Sequence, residues 1–300
     1  MIRNHLVSFA ILTYSRSQEL QSCLDSILRQ HYSPIEVVVV DNASTDATES
    51  IIKEKYNLPS LRYVKVSENK GCVEGKNIAI QNCQGDIIVA IDDDALLTDV
   101  HAVEKIVDRF TKDKEVGLLS FKSLSYFTGE ALREEFPHKD KSLEPDQEFE
   151  ASYFIGVGYA LRKIVYEKVG SYPPDFFFGF EELDLSFRII DAGYKIIYFP
   201  QVTVLHKKSS AGRLSYNNLW LKRLENRVRV SIRNLPWRYV IGSTFVWSGY
   251  TLFNVRGNIS IVIKALWNIA KNKRKLIQQR KPIQPRTIKK LIQLKGRLLY

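Results

Sequence analysis

Over the first two hundred residues, short continuous apolar runs alternate with segments whose apolar residues recur at every third or fourth position. A β-branched run bounded by turn residues fits a buried strand, and the longer spacing fits a helix with one face against a core. Strands are expected at 6–12, 35–40, 61–66 and 86–91, and helices at 17–29, 45–55 and 73–81. In 17–29 the buried face is Leu20, Cys23, Leu24, Ile27 and Leu28; in 45–55, Ser44 or Asp46 serves as cap. This βαβ succession predicts an α/β fold, a mostly parallel sheet with helices on both faces.

The pattern is less regular afterwards. A strand is expected at 116–121, a polar, irregular insert or lid at 122–150, and an apolar, glycine-bearing stretch at 154–162. Helical spacing returns at 181–192, with Leu183, Phe187 and Ile190 on one side and Gly193 as the stop. Short strands at 195–199 and 202–205 precede a basic helix at 217–233. After Leu235-Pro236 come two apolar, aromatic-bearing segments, 239–255 and 261–270, then Lys/Arg clusters at 271–275 and 280–281. As a helix the uncharged 239–255 is about 25 Å long, short of the roughly 30 Å hydrocarbon core. An interfacial, re-entrant or packed helix is therefore expected there rather than a span. The division falls at 1–213 for the α/β body and 214–300 for a basic helical extension.

In parallel sheets of this kind ligands bind beyond the carboxyl ends of the strands. Those ends carry Thr13-Tyr14, Asp41-Asn42, Glu68-Asn69-Lys70-Gly71 and Asp92-Asp93-Asp94. The last group is the most informative. Three carboxylates at the end of a buried strand repel one another and are costly to desolvate. A hard divalent cation relieves both, and Mn²⁺ or Mg²⁺ takes oxygen ligands. Strand alternation puts Asp92 and Asp94 on one side and Asp93 on the other. A solvated acidic turn is the plainer alternative.

Composition narrows the setting. The 300 residues are 45% hydrophobic, enough for a substantial core. Three cysteines without paired spacing argue against a disulfide framework or a zinc site and fit a reducing compartment. No signal peptide is read into 6–12, which is too short and contains Ser8. The net charge of +11 conceals an asymmetry: 201–300 hold 22 Lys and Arg against Glu225 alone. An acidic body with a basic tail points to a polyanionic partner, a membrane surface before nucleic acid, because nothing resembles a groove-reading or base-stacking module. An oligomer-forming tail is the alternative.

Six motifs in order resemble the family 2 glycosyltransferases, which have the GT-A fold. They are Ala10-Ile11-Leu12-Thr13-Tyr14-Ser15-Arg16, Val37 through Asp46, Glu68-Asn69-Lys70-Gly71, Asp92-Asp93-Asp94, Gly156 through Arg162, and Gly179 through Arg188. The nearest likeness is to bacterial rhamnosyltransferase-like members that build surface polysaccharides.

The resemblance implies an inverting, metal-dependent transfer from a nucleotide-diphosphate sugar to a hydroxyl of a saccharide, lipid-linked, at the cytoplasmic face of the cell membrane. It places Thr13, Tyr14, Arg16, Asp41, Asn42, Asn69, Gly71, Asp92, Asp93 and Arg188 around the donor. Asp94, Asp92 and His206 are the implied metal ligands, for Mn²⁺ or Mg²⁺. The base comes from Glu181-Glu182-Leu183-Asp184, where the family's wording is Glu-Asp; Glu182 stands at the second place, with Glu181 as the alternative and Asp184 as a supporting residue behind the site or an acceptor contact. Acids at a helix N-terminus also suit the macrodipole alone. Tyr172, Phe176, Phe177, Phe178 and Phe180 offer rings for a sugar face or for the core. Two rivals remain: a sugar nucleotidyltransferase, which expects a glycine-rich loop after the first strand, and a non-catalytic membrane- or nucleic-acid-binding module with degenerate acidic motifs.

Overall fold

A computed structural model describes residues 5–209 and 215–300. The first half follows the alternation of its sequence: β1 (Val7–Thr13), α1 (Ser17–Leu28), β2 (Ile35–Asp41), α2 (Thr48–Lys55), β3 (Leu61–Lys65), α3 (Gly71–Asn82) and β4 (Ile87–Asp92). These strands lie in the order β3-β2-β1-β4, all parallel. Thr13 pairs with Asp41, and Leu12 with Asp92, so three strands end level and present their polar residues at one edge.

The strands read as continuous apolar runs because both faces are covered. Val7, Phe9 and Ile11 pack with Leu20, Leu24 and Ile27 of α1. Ala10, Val38, Val40 and Ala90 pack on the other face with Val73 and Ile80 of α3.

The second half departs from expectation. It holds β5 (Ala95–Leu97), α4 (Ala102–Lys112), β6 (Val116–Ser125), β7 (Phe149–Ala151), β8 (Gly158–Arg162), α5 (Lys163–Val169), α6 (Glu181–Asp191) and β9 (Lys195–His206). Strand β8 runs antiparallel between β4 and β6, and β7 pairs with β9. The two short strands expected at 195–205 are one strand. Pro200 has no N–H to give to the ladder, and the register against β6 shifts just there, between Phe121 and Lys122. Helix α4 was not anticipated, although Ala102, Val103, Ile106 and Phe110 form its buried face. The insert of 122–150 is anchored by Phe149, which stacks on Tyr198 at 5.0 Å with Phe136 edge-on beside it.

The C-terminal region is helical: α7 (Tyr216–Asn234), α8 (Trp237–Asn254), α9 (Ile259–Lys271), α10 (Lys273–Gln278) and α11 (Pro285–Gln293). Trp220, Leu224 and Val228 of α7 share a core with Trp247, Ile261, Ala265 and Ile269. No described helix is long and apolar enough to cross a membrane. The boundary expected at 213–214 lies outside the described residues.

Candidate active site

A cavity of about 420 Å³ opens at the level strand ends. Thr13 ends β1, with Tyr14 and Arg16 after it; Asn42 follows β2, Asn69 precedes α3 and Gly71 opens it, and Asp92 ends β4, with Asp93 and Asp94 after it; all line the cavity. Asn42 ties two of these loops together. Its amide nitrogen donates to Asn69 Oδ1 at 2.9 Å, and its Oδ1 accepts from the Lys70 N–H at 2.9 Å. Gly71 has φ +83°, and the ring of Phe177 lies 2.6 Å from where a Cβ would stand, so a side chain here would meet both backbone strain and that ring.

The three aspartates divide as their alternation suggests. Asp93 turns back into the wall, accepting from Thr13 Oγ1 at 2.8 Å and from Arg16 Nη1 at 3.0 Å. Burial lifts its carboxyl to about 7 against the pull of Arg16. Asp92 and Asp94 meet His206, which β9 delivers from more than a hundred residues away; one ligand atom from each lies within 4.8 Å of the others. Burial opposes a charge on His206, but hydrogen bonds to Asp94 and Glu135 outweigh it and raise the imidazole to about 9. Its Nδ1 lies 2.9 Å from Glu135 Oε1, which leaves Nε2 on the Asp94 side at 3.3 Å. Two carboxylates and one imidazole held by a third carboxylate are a donor set that suits Mn²⁺ and accommodates Mg²⁺ less readily.

Several residues that local sequence did not single out belong here. Lys76 of α3 is buried, with Nζ 2.9 Å from Asp92 Oδ1 and 3.2 Å from the Gly156 carbonyl. Val73, Lys76, Asn77 and Ile80 share the inward face of α3, and a lysine among them was the available signal. Glu135 sits in the polar insert, where no periodicity marks it. Leu219 and Arg223 of α7 line the cavity, so the C-terminal region forms one of its walls.

The acids at the start of α6 separate in role. Glu182 reaches toward Lys76: its Oε1 occupies the space where a Cβ on Gly156 would stand. Burial raises its carboxyl and the Lys76 charge draws it back. Glu181 points into the protein; burial and the neighbouring Glu182 raise it, and its Oε2 has no partner. A protonated acid suits that place and a catalytic base does not. The preceding turn, with Gly179 and Phe180 at positive φ, is held by Asn226 of α7, which donates to the Phe178 and Gly179 carbonyls at 2.9 Å.

Three expectations are corrected. Asp184 is fully buried and does not line the cavity: Arg188, Arg233 and Asn234 take its oxygens. Arg188 spends its remaining donors on the carbonyls of Val169, Gly170 and Ser171, away from the cavity. Asp41 also lies below the surface, accepting from the Ser44 N–H at 2.7 Å and the Tyr63 hydroxyl at 2.5 Å; it fastens the turn that presents Asn42. Of the aromatics, Tyr172 and Phe176 are core, Phe180 packs on Trp247, and Phe177 and Phe178 line the cavity.

Comparison with known proteins agrees with this architecture. An uncharacterized protein of Haemophilus influenzae is 33% identical over 173 residues, covering 56% of this chain and 94% of its own. The O-antigen chain rhamnosyltransferase RfbN of Salmonella typhimurium is 23% identical over 217 residues, covering 69% and 68%. The fold matches that of the mannosyltransferase PcManGT from Pyrobaculum calidifontis, solved in complex with GDP-Man and Mn²⁺, with a TM-score of 0.60 at 23% identity, over 90% of this chain and 76% of that one. This is the α/β GT-A fold with a helical C-terminal extension. Residues 8–170, more than half of the chain, match the family model for glycosyl transferase family 2, and the chain belongs to that family.

Proposed function

We propose that this glycosyltransferase moves a sugar from a nucleotide-diphosphate sugar to a hydroxyl of a lipid-linked saccharide, with inversion, in the synthesis of a cell-surface polysaccharide. The observation that carries the reading is the meeting of Asp92, Asp94 and His206 within one cavity whose other wall is Thr13, Tyr14, Asn42 and Asn69. That wall carries a hydroxyl, a phenol and two side-chain amides, the polar groups that a base and ribose would meet. Asp92, Asp94 and His206 would hold Mn²⁺ or Mg²⁺, which neutralises charge on the leaving nucleoside diphosphate.

Glu182 is the base. It takes the acceptor hydroxyl proton while the acceptor oxygen bonds to the sugar C1 and the bond from C1 to the diphosphate oxygen breaks. A single displacement inverts C1. Lys76, with Nζ 2.9 Å from Asp92 Oδ1, also draws the Glu182 carboxyl back against the burial that raises it. The basic C-terminal region supports a reaction at the inner face of the cell membrane, where such an acceptor would be carried.

Release of nucleoside diphosphate from a panel of nucleotide sugars, with Mn²⁺ and with EDTA, tests the reading. Glu182→Gln should lower turnover by about 10²–10⁴-fold with donor affinity kept. If Glu181→Gln is the inactive variant and Glu182→Gln is not, the base is misassigned.

A further inference from the structure

The outer side of the C-terminal region carries an apolar face that no described residue covers. Helices α8 and α9 are joined by the short turn 255–258, and both rest on α7. Trp247 and Thr251 turn inward on α8, as do Ile261 and Ala265 on α9. On the outer side of α8, Ile241, Phe245 and Phe253 are 70%, 82% and 82% exposed. On α9, Ile259, Ile263 and Trp267 are 59%, 59% and 68% exposed. Residues four apart share a helix face, so these side chains form two neighbouring stripes. Single exposed apolar residues are ordinary, but a contiguous patch marks an interaction surface.

The charges beside the stripes say what covers them. Arg238, Arg256, Lys264, Lys271 and Lys273 are exposed around the face. The single acid between 215 and 300, Glu225, is buried and held by Lys222 and Asn268. A second copy would set the same positive rim against this one. An anionic lipid surface answers both features, taking the apolar stripes into its acyl boundary and pairing its phosphates with the rim. Neither helix is long and apolar enough to span, so the pair would lie in the plane of the interface.

We propose that the α8–α9 face docks on an anionic phospholipid bilayer. The proposal deepens the membrane-side reaction given above and rests on it for its purpose, but its test needs no sugar transfer. Helix α7, which carries the pair, also contributes Leu219 and Arg223 to the cavity. Docking therefore holds the cavity beside acceptors borne by the bilayer.

The full chain is sedimented with vesicles of phosphatidylcholine, alone or mixed with phosphatidylglycerol. It should partition onto the mixed vesicles and detach substantially at roughly 0.5 M salt, where the basic rim is screened. The variant Phe245→Ser/Phe253→Ser/Trp267→Ser should bind at least about a hundredfold more weakly, with unchanged circular dichroism and unchanged donor hydrolysis. Failure of the unaltered chain to bind anionic vesicles, or equal binding by the triple variant, would overturn the proposal. So would a dimer in light scattering that the triple variant dissolves, since a second copy would then cover the face. Glu182→Gln should bind vesicles normally, so the docking and the chemistry fail or stand separately.

Discussion

Asp94 and Asp184 are both buried aspartates with arginine near them, yet only Asp94 faces the cavity. Asp184 sits between α6 and α7, and two arginines and an asparagine occupy both of its oxygens at 2.7–3.0 Å. Asp94 accepts from the Ser209 N–H at 2.8 Å on Oδ2, while Oδ1 looks at His206 at 3.3 Å and Arg16 stands 3.5 Å away. The first is closed by groups that are themselves tied to neighbouring carbonyls and an amide. The second meets an imidazole that can itself serve as a ligand, and both line the cavity. Residue type and burial do not separate a structural acid from a site acid; the partners on its two oxygens do.

The comparison can be broken first at Asp94. Asp94→Ala removes a proposed ligand of the cation, whose charge stabilisation is worth several kcal/mol. Turnover should fall by about 10³-fold or more, with little change in thermal unfolding; a folded variant that keeps its Mn²⁺ response would remove the contrast. Asp184→Asn should act the other way round, costing about 3–5 kcal/mol of stability by leaving buried arginines uncompensated. Burial pushes the Asp184 carboxyl up, but Arg188 and Arg233 outweigh it and hold it below the usual aspartate range. A carboxyl so lowered contributes stability that is complete above its unfolded value, about 3.9, and lost as pH falls through its folded value. Denaturant titrations should therefore show the penalty in full near neutral pH and a diminished one in acid.

Two smaller effects sharpen the same line. Glu135 touches His206 and not the proposed cation, so Glu135→Gln should cost about 10–100-fold in Mn²⁺ affinity or activity, read as a raised metal requirement. Glu181→Gln should change turnover least, within about threefold, because a buried acid that is already protonated loses little as an amide.

The sequence was most legible where structure is local. Runs such as Val37–Val40 are buried on both faces, and their polar ends project together because the strands are parallel and in register. The grouping of Asp92 with Asp94 was expected from strand alternation, but β4 ends at Asp92 and the turn after it brings Asp94 to the same side. What stayed hidden depends on distant parts of the chain. Nothing local announces that β8 enters antiparallel beside β4, or that β9 carries His206 to the end of β4. Asp184 and Arg188 share a helix with Glu182, and only the packing of α7 shows which of them is closed off. Asp41 was misplaced for a similar reason: the Tyr63 hydroxyl that fixes it arrives from β3. Glu135 and Arg223 reach the site from an irregular insert and from a helix that its charge alone would assign to a partner.

The central claim is that Asp92, Asp94 and His206 hold a cation that binds the donor's diphosphate. Calorimetric titration of a nucleoside diphosphate into the unaltered chain and into Asp94→Ala, with Mn²⁺ and with EDTA, tests it most directly. The expected result is binding to the unaltered chain that EDTA abolishes and that Asp94→Ala lacks in either condition. Equal affinity with Mn²⁺ and with EDTA, unchanged by Asp94→Ala, would contradict it.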